Sequence, residues 1–158
     1  DYSVISIFNT LTNQLVHFER FNNLSWTVQR ERIKYTVRKY NNALTVIDAS
    51  SIGEPNVEEL VKDGLVIYPF YINSNQIKRE LIERLIVAIE QKTISYPPIP
   101  ELMRELEDYE LSQSSRGVVT YSAPPGKFDD TIISVALANF FLSNAKQQVY
   151  KTSSIRGV

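Results

Sequence analysis

Gly126-Lys127-Phe128-Asp129-Asp130-Thr131 sets two adjacent carboxylates where a loop turns into a long apolar segment. From Thr131 to Phe141 the chain reads Thr-Ile-Ile-Ser-Val-Ala-Leu-Ala-Asn-Phe-Phe. A helix that is apolar almost all round is a buried one. Ala123-Pro124-Pro125-Gly126, just ahead, continues neither a helix nor a central strand. Asp129 and Asp130 are therefore expected at the N-terminus of a core helix. Two readings stay open. In one, Asp129 caps the free amides and Asp130 complements the helix dipole. In the other, the pair is half of a site that a further carboxylate completes from across the fold.

The candidate for that further carboxylate is Asp48. Ala43-Leu44-Thr45-Val46-Ile47 is a short, nearly continuous apolar run and predicts a buried, parallel strand. Asp48 ends it, and Ala49-Ser50-Ser51-Ile52-Gly53 reads as the loop beyond. Open α/β sheets place ligands just past the C-terminal ends of such strands. Asp also starts ordinary turns, so here too both readings stand.

Around these two points the pattern is α/β. Tyr2 to Phe8 and Leu15 to Phe21 are β-branched and aromatic, with a turn composition between them, and predict an antiparallel hairpin. Ser25 predicts an N-cap for a helix to about Tyr40, with Trp26, Ile33, Val37 and Tyr40 as its apolar stripe. The basic residues of that helix, Arg30, Arg32, Lys34, Arg38 and Lys39, read as a solvated face. A short helix over 56–63 closes at Gly64, and Leu65 to Phe70 is a further strand with Pro69 near its end. Ser74 caps an amphipathic helix carrying Ile77, Leu81, Ile82, Leu85, Ile86 and Ile89. A proline-rich connector, an acidic helix over 100–107 and a second hairpin between Asp108 and Tyr121, with a polar tip at Gln113 to Arg116, lead back to Asp129. One domain over 1–145 and a polar, frayed tail over 146–158 are expected.

Composition narrows the function. The 158 residues hold 43% hydrophobic side chains, enough for a core, and a net charge of -1. That charge does not announce nucleic acid, so any such contact rests on a local patch or on bound cations. With no cysteine and one histidine, His17, thiolate metal sites, zinc sites and Cys–His or Ser–His nucleophile pairs are excluded in practice. His17 itself reads as a strand residue and not a ligand. The five glycines make neither a phosphate loop nor a dinucleotide fingerprint, so no ATP chemistry is expected. Carboxylate chemistry with a hard cation such as magnesium or manganese remains. No signal segment opens the chain and the apolar helix is too short to span a bilayer, which predicts no secretion and no membrane partner. The opening Asp1-Tyr2-Ser3, without an initiator Met, suggests part of a longer protein.

The order hairpin, helix, strand ending in Asp48, helix, strand, helix, then a helix opening on Asp129-Asp130 resembles the ribonuclease-H-like fold, a mixed β-sheet flanked by helices with an additional β-hairpin. More narrowly the chain resembles the C-terminal nuclease domain of the large terminase subunit of tailed bacteriophages. Asp1 to Phe8, Val46 to Gly53 and Gly126 to Ala138 carry that resemblance, the last being the most specific, although His often stands where this chain has Phe128. The family's first central strand, with its first catalytic Asp, precedes the Asp-Tyr-Ser-Val segment, so the expectation is that this chain begins after it.

The resemblance implies a metal-dependent endonuclease that cuts concatemeric double-stranded DNA with two magnesium or manganese ions. Asp48, Asp130 and Asp129 would be the catalytic, metal-holding residues, with Asp1 within reach. Asp48 and Asp130 are expected to converge within a few ångströms. Lys127, Arg116, Ser50 and Ser51 would contact DNA; for Lys127 a solvated loop lysine is the competing reading. The implied partners are an N-terminal ATPase domain, a portal protein and a small terminase subunit, at a procapsid in the host cytoplasm. The alternatives are another nuclease of the same fold, such as a junction resolvase or transposase core, and a non-catalytic module that docks on DNA or the portal.

Overall fold

Alternation of β-branched and aromatic side chains extends Ser3–Asn9 (β1) and Gln14–Phe21 (β2), and the two pair antiparallel as expected. In this computed structural model the backbone is described for residues 2–113 and 119–153, and the side chains for 2–109 and 119–142. Asn13 turns the hairpin at φ 57°, a left-handed conformation that Asn tolerates.

Trp26–Lys39 (α1) follows. Ser25 stands at its N-cap, yet its hydroxyl makes no capping bond. Gln29 ties the helix start instead, donating to the Leu24 carbonyl and accepting from the Ser3 hydroxyl, each at 2.8 Å. The basic face of α1 is paired as well as solvated: Arg30 grips Asp63 and Glu59, and Lys34 reaches Glu31 and Asp63.

Thr45–Asp48 (β3) and Ile67–Phe70 (β4) pair in parallel through a crossover of two helices, Ala49–Ile52 (α2) and Glu54–Lys62 (α3). The segment after Asp48, expected as a loop, is thus a helical turn capped by Asp48. Gly64, at φ 86°, supplies the positive dihedral that ends the α3 region. β3 was expected to be buried, and it is half-buried along its whole length. Among the described residues it pairs with β4 alone, and all four of its residues line a cleft of about 940 Å³.

Among the described residues the strands form three two-stranded sheets, β1–β2, β3–β4 and a second hairpin, Glu110–Gln113 (β5) with Val119–Ser122 (β6). Pairing is parallel in β3–β4 and antiparallel in the two hairpins, each a sheet of its own, and β1 and β3 both line the cleft.

The core is helical. Asn75–Glu90 (α4), capped by the Ser74 hydroxyl, buries Leu81, Ile82 and Leu85. Pro100–Asp108 (α5) adds Leu102. Asp130–Ser153 (α6) packs Ile132, Val135, Ala136 and Leu137 against both. Full burial of side chains of this size contributes about 1.5–3 kcal/mol each, which fixes the start of α6 firmly. Within the polar tail expected over 146–158, the backbone of α6 continues to Ser153; Ala145, Lys146, Gln147 and Gln148 are good helix formers. No helix among the described residues is long and apolar enough to cross a membrane.

Candidate functional site

The cleft collects three carboxylates from distant parts of the chain: Asp48 at the end of β3, Asp129 just before α6 and Asp130 at its first position. Each is anchored through one oxygen. Asp130 Oδ2 accepts the backbone amide of Tyr2 at 2.9 Å, which ties α6 to the start of β1. Asp129 Oδ2 accepts the Lys78 ammonium at 2.7 Å and the Tyr109 hydroxyl at 3.4 Å. Asp48 Oδ1 accepts both the amide and the hydroxyl of Ser50, and that hydroxyl accepts the amide of Ile72 at 2.9 Å. Among the described residues the second oxygen of each carboxylate takes no hydrogen bond, and it remains available to a ligand.

The cap of α6 is the residue that sequence reasoning missed. One of the two sequence readings had Asp129 take the free amides. They go to Glu105 of α5, whose Oε2 accepts Thr131 N at 2.8 Å and Ile132 N at 3.1 Å. Glu105 is only 7% exposed, and burial pushes its carboxyl above the ordinary glutamate range. The two amides, the Thr131 side chain and the nearby Arg20 pull it back. Arg20 donates to Glu105 Oε1 at 3.3 Å while its guanidinium lies 3.6 Å over the Tyr2 ring, and Tyr2 meets Phe128 edge-on at 5.1 Å. A signal was present. Glu105 stands three residues after Leu102 and one before Leu106, on the apolar face of a short helix, where an acidic residue needs a partner.

Of the other expected residues, Ser51 lines the cleft and is exposed. Ser50 is not among the cleft's lining residues, and its hydroxyl is committed to positioning Asp48 and the Ile72 amide. Lys127 pairs with Asp108 at 3.1 Å and is not among the cleft's lining residues. Asp1 and Arg116 lie outside the described residues. His17 bonds Glu19 at 2.8 Å, a structural role consistent with its strand. Burial, reinforced by the charge of Asp129, pushes the Tyr109 phenol up, so it stays a donor.

Do these groups suit a hard divalent cation? Carboxylate oxygens are the right donors for magnesium or manganese. Yet among the described residues no three such side chains stand close enough to hold a metal ion together. The expected convergence into a ready cage is therefore not found. Asp129 is drawn toward α4 and Asp48 toward its own helical turn, and like charges gain by standing apart. The donors match in kind, on one cleft, without a closed cage.

No family model matches the chain. Known proteins and structures do. The large terminase subunit of Thermus virus P23-45 is 30% identical over 138 residues, which are 87% of this chain and 28% of that protein. The chain thus spans just over a quarter of the length of the curated relatives it matches. The crystal structure of the large terminase nuclease from thermophilic phage G20c is 29% identical, covers 87% of this chain and 74% of its own, and superposes with a TM-score of 0.81. The same G20c nuclease with bound magnesium gives a TM-score of 0.82 at 28% identity, over 89% of this chain and 74% of its own. It has also been solved with cobalt and with zinc.

The architecture is that of a ribonuclease-H-like α/β domain with acidic residues gathered on one cleft. The chain is a homologue of the nuclease domain of bacteriophage large terminase subunits.

Proposed function

We propose that this chain is the metal-dependent endonuclease domain of a DNA-packaging terminase and that it cuts concatemeric double-stranded DNA. The observation that carries the proposal is the set Asp48, Asp129 and Asp130 on one cleft, each with an oxygen free of donors among the described residues, in a chain similar to nucleases solved with bound divalent metals. Asp48 and Asp130 would hold magnesium or manganese, with Asp129 beside them. A metal bound there lowers the pKa of an attacking water and stabilises charge on the leaving oxygen; two ions do both at once.

The chain's own residues prepare that chemistry. The Glu105 carboxylate holds the start of α6 through the Thr131 and Ile132 amides, and the Tyr2 amide holds one oxygen of Asp130, so together they set where Asp130 points. Ser50 does the same for Asp48. Three carboxylates on one cleft repel a polyanion until cations fill it, so DNA binding should depend on metal. In the full-length protein, an ATPase domain, a portal protein and a small terminase subunit are the expected partners, at a procapsid in the host cytoplasm.

Plasmid cutting in magnesium, manganese and chelator tests the reading. Linear or relaxed product in either metal, abolished by chelator and by Asp130→Asn, is the expected result. Metal-independent DNA retention without cutting would favour a docking module. Selective cutting of four-way junctions would favour a resolvase.

A further inference from the structure

Lys78 is the one positively charged side chain among the described residues that line the cleft, which three aspartates share. Its setting is unusual for a lysine on this helix. Arg79 and Arg84 of α4 pair with Glu83 and Glu80 one turn away along the same helix. Lys78 instead reaches across 51 residues of sequence to Asp129 at 2.7 Å. It is also the fourth residue of α4, where the positive end of the helix dipole works against a cation. The pair with Asp129 is partly exposed, and ion pairs of that kind contribute little to stability. Neither the helix nor the fold accounts for an ammonium here.

We propose that Lys78 is a substrate-contact residue of this cleft, an ammonium stored on Asp129 that takes a backbone phosphate oxygen of the DNA. The inference rests on the nuclease reading and deepens it. A compact charge on a flexible stem suits one phosphate oxygen, and the stem lets it leave Asp129 without moving α4. Asp129 holds the ammonium inside the cleft before DNA arrives, and Tyr109 shares the same carboxylate oxygen. The exchange of one anionic partner for another keeps the charge compensated throughout. It also gives this acidic cleft a phosphate anchor that Lys127, paired with Asp108, does not supply.

The test is duplex binding measured against salt. A short fluorescent duplex is titrated with the parent and with Lys78→Gln in calcium, at several salt concentrations, with manganese binding followed by calorimetry. One lost phosphate contact lowers the magnitude of the slope of log K against log salt by about 0.9. Lys78→Gln should show that drop, together with weaker binding of duplexes of every sequence. Manganese should bind the variant at least as tightly as the parent, since a positive charge has left the neighbourhood of the carboxylates.

Lys78→Met keeps the stem without the charge and serves if the glutamine variant fails to fold; Lys78→Arg should restore the parent's slope. An unchanged slope, with manganese binding weakened, overturns the proposal and leaves Lys78 as a residue that merely orients Asp129. Failure of the nuclease reading looks different: the parent itself would neither bind nor cut duplex DNA in any divalent metal.

Discussion

Two parts of this molecule gather carboxylates from remote segments, and they treat them in opposite ways. On the outer face, α1 and α3 bring together Arg30, Lys34, Asp63 and Glu59, with the Trp26 indole donating to Glu59 at 2.8 Å. There every acid meets a cation. Arg30 holds the Asp63 carboxyl below its ordinary range, chiefly by donating hydrogen bonds to it. In the cleft, Asp48 and Asp130 are anchored by neutral backbone and hydroxyl donors, and among the described residues each keeps an oxygen without a donor; behind it, burial pushes the Glu105 carboxyl upward. The first arrangement neutralises charge and is complete as it stands. In the second, Lys78 compensates Asp129 alone, and Asp48 and Asp130 have no cation against them among the described residues. Acidic clusters are told apart by what donates to them, not by how many acids they hold.

The largest expected effect comes from substituting the same side chain in the two regions. Asp130→Asn or Asp48→Asn should lower metal-dependent cleavage by at least about 100-fold, the upper range seen even for supporting residues of metal sites. Asp63→Asn should leave cleavage within a factor of about two and lower the melting temperature instead. A plasmid assay beside a thermal melt of each variant reads both. Equal cleavage by Asp130→Asn and the parent would reduce Asp130 to a helix-start residue.

Metal linkage sharpens the same contrast. Manganese at 100 times its dissociation constant should stabilise the parent by about 2.7 kcal/mol. It should stabilise Asp130→Asn much less, and Asp63→Asn as much as the parent. Without metal, Asp130→Asn should melt at the parent's temperature or above, because it removes a like-charge repulsion. Melts with and without manganese check this, and equal shifts in all three proteins would break the distinction between the clusters.

Next comes Glu105. Glu105→Ala leaves two buried amides of α6 without an acceptor and should cost about 1–3 kcal/mol. Glu105→Gln keeps an acceptor and should lose less. Chemical denaturation measures both. A loss as large for Gln as for Ala would show that charge, not the cap geometry, matters at this position.

The smallest effect is in pH, and its sign differs between the regions. Asp63 titrates below its ordinary value in the folded chain, so its contribution is present above the unfolded value and is lost as pH falls through the folded one. Glu105 titrates above its ordinary value, so its contribution is full below the unfolded value and is lost as pH rises through the folded one. Stability of the parent relative to Asp63→Asn should therefore shrink on acidification. Relative to Glu105→Gln, the parent should lose ground as pH climbs out of the carboxylate range. Denaturation midpoints across acid pH would decide, and parallel curves would remove the claimed difference.

Much of this was legible in the order of residues. Period-two runs gave β1 and β2, the spacing of Leu81, Ile82 and Leu85 gave α4, and an all-round apolar run after Asp130 gave the core helix. These are short-range signals, in which each residue reports on neighbours a few positions away. The placing of Asp48 past a strand and of Asp129-Asp130 at a helix start follows from the same local grammar. What acts on those carboxylates does not. Tyr2 reaches Asp130 across 128 residues, Lys78 reaches Asp129 across 51, and Glu105 reaches Thr131 across 26. No periodicity links such pairs, because packing chooses them only after the helices have met. Local patterning foretells most of the elements and puts Asp48 and Asp129-Asp130 at their ends, though not the helical turn after Asp48. Which oxygen of Asp129 and Asp130 is tethered is settled only by packing, because their donors, Lys78 and the Tyr2 amide, arrive from elsewhere in the fold.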